Sequence, residues 1–133
     1  MPIDTSALAE AARDLRADVS SVRRVLIATV DGLPVYDDAQ DIDTARFSAL
    51  GASTLGLGQR VTDVAKGGEF QEAVLQGSEA SLTMYAAGSR LVLVLLVASD
   101  VNLALLHRKA RAIARDLAEL DVVAVPGDAP GAS

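Results

Sequence analysis

Between Thr44 and Lys66 the chain reads as one long helix with almost no polar side, and this stretch constrains the fold most. Phe47, Leu50, Thr54, Leu57, Val61 and Val64 recur three and four residues apart, a heptad-like seam with one polar member. A neighbouring face carries Gly51, Leu55, Gly58 and Thr62. Charges are sparse: Arg46, Arg60 and Asp63. A helix that is apolar or small nearly all round is normally covered on more than one side. One side can be the chain's own sheet; the other calls for a second partner. Each glycine within the helix costs about 1 kcal/mol relative to alanine. A close approach by another helix or by backbone would offset that cost. Gly67-Gly68 ends the helix.

The flanking segments supply a sheet. Thr5 to Ser21 has helical spacing in Leu8, Ala12, Leu15, Val19 and Val22. Val25 to Val30, the pair Asp31-Gly32 and Leu33 to Tyr36 form a hairpin signal, and Pro34 makes the second run an edge strand. After the long helix, Phe70 to Leu75, Ala80 to Tyr85 and Leu91 to Val97 read as three strands. In the middle one, Leu82, Met84 and Ala86 alternate with Ser81, Thr83 and Tyr85, the mark of a half-exposed strand. The last is apolar on both faces and so should be central. Ser99-Asp100 caps a final helix with Leu103, Leu106, Ala110, Ile113, Leu117 and Leu120 as its stripe. The expected architecture is α+β in the order α-β-β-α-β-β-β-α, a single domain over residues 1–121. Residues 122–133, rich in Ala, Pro and Gly, are expected to be a disordered tail.

Composition narrows the function classes. A net charge of −6 argues against a general nucleic-acid binder, which needs clustered cations. Absence of cysteine removes disulfides and thiolate chemistry and fits a reducing, cytoplasmic setting. The start Met1-Pro2-Ile3-Asp4 lacks a basic head and an apolar run, so no secretory leader is expected. The longest apolar run, Leu91 to Ala98, falls well short of the roughly 20 residues that span a bilayer, so no membrane insertion is expected.

Little in the chain could do chemistry. His107, between Leu106 and Arg108, has Ala110 and Arg111 three and four residues on, so no carboxylate on its own helix orients it as a base. It reads as a surface or boundary histidine. Asp31, Asp37, Asp38, Asp41 and Asp43 match no calcium-loop pattern. They read as a solvated loop with Asp43 as the helix N-cap. Gly56-Leu57-Gly58 lies inside a helical pattern, without the preceding strand that a phosphate loop requires. Neither metal nor cofactor is expected. Arg108, Lys109, Arg111 and Arg115 form a basic face on the last helix. It reads as a solvated face, with docking on an acidic partner protein as the alternative.

Three local patterns, in this order and spacing, resemble the Roadblock (roadblock/dynein light chain) family. Asp31-Gly32-Leu33-Pro34-Val35 is similar to that family's hairpin. The small-residue long helix with its Gly-Gly exit follows. The stretch Ala98 to Arg108 is similar to the family's entry into its last helix, with Ser99 where many members have Pro and Ala104 where many have Gly. The resemblance spans about residues 5 to 120. It implies a five-stranded antiparallel sheet with the long helix on one face and the terminal helices on the other. It also implies a homodimer in which the long helices pair and the strand after Gly68 meets its copy. The interface is then expected at Phe47, Leu50, Gly51, Thr54, Leu57, Gly58, Val61, Phe70, Glu72 and Val74. Bacterial members of this type regulate small Ras-like GTPases, which implies a non-catalytic regulator with a GTPase client, and with a sensor-kinase complex as a further setting. A dimeric scaffold without effect on GTP turnover is the alternative; an enzyme or a small-molecule sensor would need a polar pocket that this aliphatic core is poorly equipped to line.

Overall fold

The computed structural model describes residues 5–39 and 41–124, with side chains through Glu119. Eight elements follow the expected order: α1 (Thr5–Asp18), β1 (Val22–Thr29), β2 (Pro34–Asp37), α2 (Thr44–Val64), β3 (Glu72–Gln76), β4 (Ala80–Ala87), β5 (Leu91–Ala98) and α3 (Leu103–Ala124). α3 continues through Val122, Val123 and Ala124, into the segment expected as tail. The rest of that tail lies outside the described residues.

All five strands pair antiparallel in the spatial order β2-β1-β5-β4-β3. β5 is central, as its two apolar faces required. β2, headed by Pro34, is one edge, and β3 is the other. α1 and α3 cover one face over Leu8, Leu15, Val25, Tyr85, Leu93, Leu106 and Leu117; α2 covers the other over Leu26, Leu55, Met84, Val92 and Val94. Aliphatic side chains fill both layers because the chain has few aromatics to offer.

One expectation about β4 is corrected. Ser81, Thr83 and Tyr85 are buried beneath α3, not exposed. Alternation therefore separated two buried faces of unequal polarity, and α3 supplies the cover that a half-exposed strand lacks. The end of α2 also differs in detail. The residue in the left-handed conformation is Lys66, with φ 55°, ahead of Gly67-Gly68. Lys66 N–H donates to the Asp63 carbonyl at 3.1 Å and Gly67 N–H to the Thr62 carbonyl at 2.7 Å, the paired bonds of a Schellman termination.

Candidate interaction surface

α2 sits on its sheet through its smallest residues. A Cβ added to Gly51 would lie 2.7 Å from Cγ2 of Val94. One added to Gly58 would lie 2.5 Å from Cδ1 of Phe70 and 2.9 Å from Cζ. The helix axis can therefore approach β5 and the segment before β3 only where these side chains are missing. This redistributes the expected interface. Gly51, Gly58 and Phe70 serve the chain's own packing, and Phe47 lies partly buried against the same layer. Within the chain, the close approaches at two of the glycines are made by β5 and by the segment before β3.

What remains on the outer side of α2 is apolar and uncovered. Leu50 is 49% exposed, Leu57 62%, Val61 58% and Val64 85%. Thr54 lies among them, its hydroxyl donating to the Leu50 carbonyl at 2.9 Å. The stripe continues onto the sheet at Leu75, which is 50% exposed. Leu75 shares the α2 face with Ala73, two residues earlier on β3. Four leucines or valines on one helix thus lie open beside an edge strand that no other described strand pairs on that side, the kind of apolar patch that association surfaces present.

β3 carries the expected residues Glu72 and Val74 on the opposite face. Glu72 accepts a bidentate fork from Arg111, Nε at 2.7 Å and Nη2 at 2.6 Å. His107 Nδ1 stands 3.5 Å from the same carboxylate and 2.7 Å from the Tyr85 hydroxyl. The Arg111 bonds outweigh partial burial and hold the Glu72 carboxyl below its usual range. Burial pushes the Tyr85 phenol up to about 12. His107 thus has a carboxylate neighbour after all. It comes from β3, 35 residues away in the chain, which helical spacing cannot reveal. The basic face of α3 is likewise partly engaged: Arg111 holds Glu72, and Lys109 pairs with Asp18 of α1 at 3.2 Å. Arg108 and Arg115 are exposed.

The acidic loop is organised around Arg24, a residue that no motif in the sequence singles out. Arg24 on β1 is buried and forks onto Asp37 through Nε (3.1 Å) and Nη2, and onto Asp41 through Nη2 at 2.9 Å. Its guanidinium also lies 4.8 Å from the centre of the Phe47 ring. The Thr44 hydroxyl donates to Asp37 at 2.6 Å and accepts from the Asp41 N–H at 3.1 Å. Burial alone would raise the Asp37 pKa, but the bonds from Arg24, Thr44 and the Ala39 N–H reverse this and hold it below its usual value. The loop is therefore not merely solvated. Nor does Asp43 cap α2: its side chain makes no capping bond, and Asp41 accepts from the Asp43 N–H instead, at 2.9 Å. A lone buried cation inside an apolar β1 was the available signal, since such a charge demands a partner. Among the described residues no cluster of three or more His, Asp or Glu side chains is placed to hold a metal ion. No helix among them is long and apolar enough to cross a membrane.

The architecture is shared with solved structures. An MglB with a tetrameric arrangement superposes with a TM-score of 0.80 at 20% identity, covering 90% of this chain and 90% of that one. A Roadblock/LC7 domain from Streptomyces avermitilis gives 0.73 at 21% identity, covering 79% and 89%. The gliding protein MglB from Thermus thermophilus gives 0.75 at 19% identity, covering 84% and 86%. No curated protein matches by sequence. The model of the Roadblock/LC7 domain matches residues 8–97, from the first turn of α1 to the end of the central strand. Taken with the sheet order and the three-helix cover, that match leaves one conclusion: the chain belongs to the Roadblock/LC7 family.

Proposed function

We propose that the chain is a non-catalytic homodimeric regulator that binds a small Ras-like GTPase and biases its nucleotide state or location. The observation that carries the dimer is the open apolar stripe Leu50–Leu57–Val61–Val64, continuous with Leu75 on an unpaired strand edge. A second copy covers it with the same stripe, as an isologous interface requires. The similarity to structures of MglB, one of them in a tetrameric arrangement, supports self-association as the working form. The client follows from the family resemblance, and an acidic net charge of −6 suits a protein partner better than a nucleic acid. A rigid dimer acts on such a client only through its differential affinity for the two nucleotide states. The test is direct. A Ras-like GTPase from the same genome is loaded with GDP or with a non-hydrolysable GTP analogue and titrated with this protein by calorimetry. Unequal affinities for the two states, matched by a change in exchange or hydrolysis rate, are expected. Equal affinities with unchanged kinetics would reduce the protein to a scaffold, and no binding by any such GTPase would remove the client altogether.

A further inference from the structure

Nδ1 of His107 stands between two groups that make opposite demands on it. It lies 2.7 Å from the Tyr85 hydroxyl on β4 and 3.5 Å from Oε2 of Glu72 on β3. The buried Tyr85 phenol keeps its proton, since burial pushes it up to about 12. The Glu72 carboxylate carries none, because Arg111 keeps it below its usual range. A neutral imidazole can offer Nδ1 as an acceptor, which suits the phenol. A protonated one offers Nδ1–H as a donor, which suits the carboxylate. Thr83 adds a fourth group. Its hydroxyl is buried on the same face of β4, two residues before Tyr85 and beside the phenol. Among the described residues it is the buried side-chain polar atom without a hydrogen-bond partner.

We propose that His107 is a proton-operated clasp. Neutral, it accepts the Tyr85 hydroxyl and ties α3 to β4. Protonated, it donates to Glu72 and ties α3 to the edge strand β3, while the Tyr85 hydroxyl turns to Thr83. In the neutral state Thr83 Oγ1 lacks a partner, and Nδ1 faces Oε2 as acceptor against acceptor. One proton fills both gaps. The neighbouring charges are largely spent on one another. On α3, Arg111 is neutralised by Glu72 at 2.6–2.7 Å, Lys109 pairs with Asp18 of α1 at 3.2 Å, and Arg108 is exposed. β5 brings only apolar side chains to this layer, Leu93 and Leu95 among them. The two strands differ in what the tie does for them. β4 is paired on both sides and loses little when released. β3 is paired with β4 alone, so a second bond from α3, beside that of Arg111, fixes it. The strand next to the open α2 stripe is therefore held more firmly once the ring has taken up its proton. The inference concerns a single chain and does not depend on the homodimer.

His107 is the one histidine of the chain, so its ring nitrogens give a single set of NMR resonances. At about pH 8.5 these should show the proton on Nε2 and a bare Nδ1. A neutral ring protonated at Nδ1 would overturn the clasp. Titration then separates the relay from plain electrostatics. Thr83→Val replaces an unpartnered buried hydroxyl by a methyl and changes no charge, so the variant should fold. It should nonetheless weaken proton binding by the ring about threefold, because Tyr85 then has no acceptor to turn to. In a Tyr85→Phe background the same substitution should change nothing. An unaltered titration for Thr83→Val in the wild-type background would overturn the relay. The edge strand is read by amide exchange at Ala73, whose N–H faces β4 in the ladder. Near pH 5.5 that amide should be protected about threefold more in the wild type than in His107→Gln, and near pH 8.5 equally. Equal protection at both pH values would overturn the tie to β3.

Discussion

Gly56 and Gly58 stand on the same helix, yet alanine should act at them in opposite directions. Replacing an interior helical glycine by alanine is worth about 1 kcal/mol from propensity alone. At Gly56 an added Cβ meets nothing within 4 Å, so Gly56→Ala should stabilise by nearly that amount. At Gly58 the same methyl would lie 2.5 Å from Cδ1 and 2.9 Å from Cζ of Phe70, and closer still to Cε1, so the ring must move. Exposing a buried Phe forfeits roughly 1.5–3 kcal/mol, and the ring is only partly buried, so the lower end applies. Off-rotamer repacking around an oversized group adds about 1 kcal/mol. Against the propensity gain, Gly58→Ala should lose about 1–2 kcal/mol, which separates the two variants by roughly 2–3 kcal/mol. Urea denaturation followed by circular dichroism at one fixed protein concentration reads this difference. With a slope near 2 kcal/mol/M, the midpoints should lie more than about 1 M apart. A second arm isolates the cause: in a Phe70→Ala background, Gly58→Ala should become stabilising. Coincident midpoints for Gly56→Ala and Gly58→Ala, or no rescue by Phe70→Ala, would refute the close approach of α2 to Phe70.

Asp37→Asn leaves the buried Arg24 charge with only the half-exposed Asp41 as its ionic partner and should cost about 2 kcal/mol by thermal or urea unfolding, whereas Arg24→Met with Asp37→Leu should cost less. Asp37 has its folded pKa depressed below the ordinary 3.8, so its contribution is complete above that value and is lost as pH falls through the lower folded one; acid titration should show the wild type losing stability below about pH 4, with a shallower loss in Asp37→Asn. Lys66→Gly should stabilise by about 1 kcal/mol, since a left-handed φ of 55° costs a side-chain-bearing residue about that much and glycine little; an unchanged thermal midpoint would count against the Schellman geometry. Leu57→Asp should abolish the dimer by light scattering yet leave circular dichroism intact, because that side chain is 62% exposed within the chain itself; a dimeric variant would place the seam elsewhere.

Much of this fold was legible from local pattern. Hydrophobic spacing placed every helix and strand, and Pro34 named an edge before any pairing was known. The boundaries drifted where tertiary contacts decide them. β3 begins at Glu72 because Phe70 turns away to pack on Gly58, a contact between elements that no window of sequence contains. The period of the α2 stripe is legible in the sequence, but its angular width is not. Small residues satisfy a dimer contact and a sheet contact equally well in a helical pattern, so spacing alone does not reveal that Gly51 and Gly58 meet Val94 and Phe70 of the same chain. The polar clusters were invisible for a different reason. Arg24 with Asp37, Asp41 and Thr44, and Glu72 with Arg111 and His107, join residues from separate elements, and charge spacing along one helix or strand does not register such meetings.

The two polar clusters occupy the two ends of the sheet order, and their positions explain how one helix can serve two surfaces. At the β2 edge, Arg24 ties β1 to Asp37 at the end of β2 and to the entry of α2, fixing where the helix begins. Gly51 and Gly58 then set its height above the sheet. These contacts lie on the inner side of α2 or at its start. The outer stripe takes no part in them: Leu57 and Val61 are more than half exposed. Folding and association should for that reason be separable. Substitutions on the inner side, such as Gly58→Ala, should move the unfolding midpoint of the single chain. Substitutions on the outer side, such as Leu57→Asp, should move the dimer constant alone. For the homodimer proposed above, that independence lets each chain fold before it meets its copy. Were its helix held in place only by the second copy, the dissociated chain would unfold instead of waiting for a partner.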